Sequence, residues 1–324
     1  VHGSEGSLNN HWGVPLSLAR MPRDAGFAVF EIGMNHVGEI APLAELVSPD
    51  VALVLNVLPA HLGFFDSIDT IRREKLSIAR GLGSAGILVV PDDLDLSDSK
   101  HGEVITFGFS QVGDVRCVGI EEGDDWAVRA DSSGDALQFR LAEGGRHRVL
   151  TGLATLAAVR ALSADLHGAA ESLCQVQLPP GRGNRHRVDG MVLVDDSYNA
   201  NPASVGYALD LLGRSSAKRK IAILGDMLEL GDSGAELHAD LAADCGGIDK
   251  VITVGSLMKN LQDRLPPDKR WQHVESCRDL DVVELSGHFR AGDEVLVKGS
   301  KKIFWAENFV ARLLQQLLAA QRED

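Results

Sequence analysis

Positive charge is what this sequence most lacks: 32 lysines and arginines face 46 aspartates and glutamates, a net charge of −14. A general nucleic-acid binder needs a basic surface, so that class is excluded; an anionic ligand held in a local basic pocket is not. Cysteine is sparse. The four thiols, at 117, 174, 245 and 277, show neither CxxC nor CxxH spacing and read as scattered reduced cysteines of a cytosolic protein. No apolar run reaches membrane-spanning length, and no signal peptide opens the chain. Aromatic residues make up only 5%, yet 44% hydrophobic and 24% charged content is ordinary for a soluble globular protein. A starting methionine is also missing. The opening VHGSEGSLNNHWGVPLSL is polar and loop-like, so the chain reads as a fragment whose beginning lies upstream.

What is present is organised around Asp50 to Leu82. Val51 to Val57 is an apolar, β-branched run of the kind that forms a strand buried on both faces. A loop with His61 follows, and Ser67 stands where a helix N-cap belongs. In the helix beyond it, Ile68, Ile71, Ile78 and Leu82 recur on one face, and Lys75 falls on that same face. A lysine there either snorkels to water along its stem or is held out of solvent for chemistry, with its pKa depressed.

Before this stretch, residues 26–33 (GFAVFEIG) read as a strand with Glu31 near its carboxyl end, where open α/β sheets place ligands. Such a glutamate is a turn or cap residue or a ligand-facing group. After it, residues 86–90 form a short buried strand, and 101–145 carry alternating runs that suggest a β excursion on the domain's flank. An alanine-rich helix is expected from Thr151 to Leu166. The segment Pro179 to Arg187 is rigid and basic within an acidic chain, and by composition reads as a solvated interdomain linker. From Met191 strands and helices alternate cleanly, with Asn201 as N-cap and Pro202 at the first helical position. Helices are expected near 234–245, 256–264 and 276–289, and a long one over 303–320 closes the chain. At 324 residues two domains are expected, both α/β: a mostly parallel first domain over 1–187 and a Rossmann-like second over 188–324.

Several strings together resemble the Mur ligase family. They are Asn56-Val57-x-x-Ala60-His61 with the lysine-bearing helix, Glu31-Ile32-Gly33-Met34-Asn35-x-x-Gly38-Glu39-Ile40, and Asn9-Asn10-x-x-Gly13-Val14-Pro15-Leu16. Asp195-Asp196-Ser197-Tyr198-Asn199-Ala200-Asn201-Pro202, the run Leu224 to Gly231 and Val297-Lys298-Gly299-Ser300 complete the set. The resemblance covers essentially the whole chain. It implies ATP-dependent, cytoplasmic ligation of D-alanyl-D-alanine to UDP-N-acetylmuramoyl-tripeptide in peptidoglycan synthesis by a monomer, with no nucleic-acid or membrane partner. It further implies that Lys75 is carbamoylated and holds Mg2+ with His61 and Glu31, the catalytic set. By the same resemblance Arg182, Asp196, Asn199 and Asn56 face ATP.

The chain departs from the family in places. Thr151 stands where the family has an asparagine that reads adenine, and a hydroxyl cannot reproduce an amide's paired contacts. Ser77 stands where relatives often show glutamate. The phosphate-binding Gly-x-x-Gly-Lys-Thr loop and the domain for the UDP end are not in the sequence, so this chain alone is expected to be catalytically silent. Two other readings share parts of the pattern: a related ligase for another amino-acid or folate substrate, and a non-catalytic nucleotide-binding remnant.

Overall fold

The computed structural model describes residues 1–58, 65, 67–97, 102–123, 125–142 and 145–320. It divides into two compact units, Val1–Val176 and Gln177–Asp324. The first unit opens with β1 (His2–Gly3), α1 (Gly13–Ala19), β2 (Ala28–Val29), α2 (Ile40–Val47), β3 (Val51–Leu53) and α3 (Ile68–Leu76). It continues with β4 (Ile87–Pro91), β5 (Glu103–Gly108), β6 (Val115–Glu121), β7 (Trp126–Ser132), β8 (Asp135–Leu141), α4 (Arg146–Ala161) and α5 (Leu166–Ser172). Strands β3 to β8 form one sheet in sequence order, parallel from β3 to β6 and antiparallel from there to β8. The 101–145 excursion is therefore the far half of the main sheet. Ala52 and Val54 meet Leu88 and Val90 under Leu76 and Ala79. That packing fixes α3 over the sheet by burial of apolar surface.

The second unit holds β9 (Asn184–Val188), β10 (Met191–Asp196), α6 (Pro202–Arg214), β11 (Arg219–Gly225), α7 (Gly234–Asp240) and β12 (Lys250–Val254). After them come α8 (Lys259–Arg264), β13 (Arg270–Val274), α9 (Val282–Gly287), β14 (Asp293–Lys298) and α10 (Phe309–Ala320). The sheet order is β13-β12-β11-β14-β10-β9, parallel except for β9, which turns back antiparallel along β10. Residues 184–187 thus belong to this second sheet. Alternation divides the core: Ile221 and Ile223 face Phe304, Phe309 and Leu313, whereas Ala222 and Leu224 face Leu209, Leu241 and Met258. Both faces are covered, as a parallel sheet requires.

Local departures from the sequence reading have local causes. The strand expected over 26–33 shrinks to β2, which pairs with His2–Gly3 in what was expected to be a loop. The strand expected to Val57 ends at Leu53, although the Val54 amide still donates to Val89. Ile68 is 50% exposed rather than part of the apolar face. Helix α4 begins at Arg146, just after Gly145 (φ 133°), and ends before Ser163 (φ 50°), short of Leu166. The helix expected over 276–289 is broken where Asp281 caps a new start by accepting from the Val283 and Glu284 amides. The last helix starts at Phe309, after Asn308 takes a left-handed conformation (φ 50°).

Candidate functional site

Each unit carries part of the residue set read from the sequence. In the first, Ser67 caps α3 as expected, its hydroxyl accepting from the Thr70 amide at 3.1 Å. That start sets the phase of the helix, and Lys75 then reaches past β3 to donate from Nζ to the Asn56 carbonyl at 2.8 Å. No carboxylate is paired with it among the described residues, and burial pushes its pKa below the ordinary lysine value. The motif residue Asn56 thus meets Lys75 through its backbone. Glu31 lies outside regular structure and is exposed; its Oε1 accepts from Asn9 Nδ2 at 2.8 Å. Asn9 is locked in turn because the Gly33 amide donates to its carbonyl at 2.7 Å. A Cβ on Gly33 would stand 2.9 Å from Asn9 Nδ2, so a side chain there would push the Asn9 amide away from Glu31. Asn10 works locally, accepting from the Trp12 and Gly13 amides where α1 begins.

His61 lies outside the described residues. Among the described ones, no group of three or more His, Cys, Asp or Glu converges as a metal site. Thr151 is exposed in the second turn of α4, its hydroxyl donating back to the His147 carbonyl at 3.0 Å. Ser77 is more surprising: its Oγ is buried with no hydrogen-bond partner among the described residues.

In the second unit the parallel strands bring several motifs to one carboxyl edge. Asp196 ends β10 and Lys298 ends β14, in register as neighbours. Lys298 is 3% exposed and donates to Asp196 Oδ2 at 2.7 Å and to the Asn199 carbonyl at 3.1 Å. Arg182 stacks its guanidinium on Tyr198, 4.4 Å from the ring centroid. Tyr198 meets Trp305 edge-on at 5.4 Å, and Lys301 lies 5.0 Å from the same ring. The Tyr198 amide donates to Gly181, which at φ 76° sits where a Cβ would be 2.7 Å from Trp305. Arg182 and Lys301 are therefore both set against the Tyr198 ring. Arg185, left without a role by the sequence, pairs with Glu294 at 2.9 Å.

Sequence reasoning passed over Tyr198, Trp305 and Lys298 as individual contributors. Only Lys298 carried a usable signal, a lysine at the end of an apolar strand. The Leu224 to Gly231 string, in contrast, is largely absorbed by structure. Asp226 accepts from the Met258 and Leu257 amides, and Ser300 Oγ accepts from the Leu228 amide. His238 is fully buried; its Nδ1–H donates to the Gly234 carbonyl while Nε2 accepts from the Met227 amide. Burial lowers its pKa, so the ring is neutral.

Comparison with known proteins gives a consistent result. Residues 1–159 match the Mur ligase middle domain and 181–301 the Mur ligase glutamate ligase domain. The UDP-N-acetylmuramoyl-tripeptide–D-alanyl-D-alanine ligase of Bacillus subtilis (strain 168) is 31% identical over 93% of this chain and 67% of its own length. That of Rickettsia prowazekii (strain Madrid E) is 27% identical over 94% of this chain and 70% of its own. The crystal structure of MurF from Acinetobacter baumannii superposes with a TM-score of 0.87 at 29% identity, covering 97% of this chain and 70% of that one. No helix among the described residues is long and apolar enough to cross a membrane.

Proposed function

The chain belongs to the Mur ligase family, and on that premise we propose that it serves the ATP-dependent joining of D-alanyl-D-alanine to UDP-N-acetylmuramoyl-tripeptide in the cytoplasm. The observation that carries the reading is Lys75, half-buried against the Asn56 carbonyl with its pKa pushed down by desolvation. A neutral amine reacts with carbon dioxide: the nitrogen lone pair forms the N–C bond, a C=O electron pair moves to oxygen, and the amine proton leaves to water. The resulting carbamate and the Glu31 carboxylate supply the oxygen donors that magnesium prefers, and they fit the ion chemically. His61 completes the proposed set. When bound, Mg2+ would offset charge on the phosphoryl group during transfer.

In the second unit Arg182 offers a planar fork of donors that suits phosphate oxygens and does not lose its charge. Tyr198 holds that fork flat. Asp196 and Asn199, fastened by Lys298, are assigned to the nucleotide, as is the side-chain amide of Asn56. In the reaction the tripeptide carboxylate takes the γ-phosphoryl group of ATP. The dipeptide amine then attacks the acyl carbon and phosphate leaves.

The test needs two readings on the purified chain. With 13C-bicarbonate, an NMR carbamate signal is expected that Lys75→Ala removes; its absence from the parent protein overturns the magnesium site. By calorimetry with Mg-ADP, Arg182→Lys is expected to weaken binding about tenfold, roughly 1.4 kcal/mol, because an ammonium can neither fork nor stack in the same way. Unchanged affinity would remove Arg182 from the nucleotide site.

A further inference from the structure

Glu74, the residue before Lys75, is a carboxylate at 5% exposure that pairs with no cation among the described residues. Its oxygens are taken by backbone amides instead: Oε2 accepts from Gly38 and Oε1 from Ile40, both at 2.9 Å. Charged acceptors on amide donors make short, strong hydrogen bonds, and the N–H groups at the start of α2, which have no acceptor within the helix, favour an anion there. Consecutive helical side chains leave the axis roughly 100° apart. Lys75 can thus reach the end of β3 while Glu74 reaches the start of α2.

The segment that Glu74 holds carries Glu31 at its front. Residues 30–39 contain no helix or strand, so their order depends on side chains. Glu39 Oε2 accepts from the Asn35 and His36 amides at 2.6 and 3.0 Å, which closes the segment on itself. Asn9 holds Glu31 and Gly33 to the region before α1. The two bonds to Glu74 tie the segment to the helix that carries Lys75.

We infer that Glu74 is a positioning residue: by fastening the Gly38–Ile40 backbone to α3, it sets where Glu31 stands relative to Lys75. This rests on the reading of Glu31 and Lys75 as magnesium ligands. Glutamine at 74 keeps the size but turns an NH2 toward an amide donor, so one anchor is lost. Aspartate keeps the charge but is one methylene short of spanning both amides.

The test measures Mn2+ affinity by electron paramagnetic resonance, in bicarbonate and well below melting, for the parent chain, Glu74→Gln and Glu74→Asp. Thermal melting is followed alongside. Both variants are expected to bind Mn2+ at least tenfold more weakly while the 13C carbamate signal of Lys75 persists. If either folded variant binds within twofold of the parent, Glu74 is only a cap for α2 and the inference falls alone. If the parent itself takes no Mn2+, the metal-site reading fails and the inference falls with it. The aspartate variant guards against a glutamine variant that does not fold.

Discussion

Lys298 in the second unit is drawn fully out of solvent and Lys75 in the first only partly, each beside the end of a strand, and their surroundings differ. Lys298 has the Asp196 carboxylate at 2.7 Å and the Asn199 carbonyl at 3.1 Å. Among the described residues Lys75 has the Asn56 carbonyl alone, and burial works against its charge. A lysine fixed between a carboxylate and a carbonyl acts as a bracket. An unpaired one drifts toward the neutral amine and becomes a nucleophile for a small electrophile such as carbon dioxide. On the proposed reading, the same side chain serves structure in one unit and carbamate chemistry in the other, and the difference between their surroundings is a single carboxylate.

The largest expected effect comes from breaking the bracket. Lys298→Met would leave Asp196 charged beside an apolar side chain and release the Asn199 carbonyl. Removing one partner of a buried pair costs on the order of 3 kcal/mol; with Asp196 a quarter exposed, somewhat less is expected here. Urea denaturation measures it. Adding Asp196→Asn to the same protein should recover part of the loss, since the stranded charge is then gone. A single variant within 0.5 kcal/mol of the parent, on the usual scale of neutral surface changes, would show that the pair does not bear on folding.

Legibility followed the physics of each region. The second unit could be read because its strands are apolar runs long enough to show their period, and its turns carry strong local signals. Asn201 is the clear case: it accepts from the Ser204 amide, Ser204 returns the bond, and Pro202 stands at the helix start. The region around Glu31 was read less well. Its order comes from Asn9, Glu39 and Glu74, and the Glu74 partners lie far off in sequence. No periodicity records such contacts. Tyr198 and Trp305 were invisible as a pair for the same reason, since their meeting depends on two strand ends being brought together. Motif resemblance supplied Glu31, Lys75 and Arg182; the contacts around them required the fold.

A smaller effect sharpens the comparison from the other lysine. Burying Lys75 should reduce stability at neutral pH, so Lys75→Met is expected to fold more tightly by about 1 kcal/mol while losing the carbamate. The sign follows from proton binding. Because the folded pKa is depressed, the unfolded chain binds more protons between that value and about 10.4, and parent stability rises with pH across the window. The gap between variant and parent should therefore narrow as pH rises through the depressed folded value toward about 10.4. Melting curves at stepped pH test this. A methionine variant less stable than the parent throughout would mean that Lys75 has a charged partner after all.

The smallest effect concerns His238, which shows what a buried titratable group looks like when it is purely structural. Its Nδ1–H donates to Gly234 and its Nε2 accepts from the Met227 amide, so both nitrogens are committed to the neutral ring. A proton on Nε2 would face an N–H donor, and burial already lowers the pKa. Unfolded histidine takes up its proton near 6.5, the folded ring only at lower pH. The contribution of His238 is thus complete above about 6.5 and is lost as pH falls toward the depressed value, at no more than about 1.4 kcal/mol per pH unit. His238→Gln can keep the acceptor for Met227 but does not titrate, and every other ionisable group stays in place. Urea midpoints at pH 7 and 6 should separate, the parent falling by less than about 1 kcal/mol more than the variant. Parallel changes in both proteins would show that His238 takes up its proton equally well in the folded and unfolded chains, and that its buried hydrogen bonds do not hold it neutral.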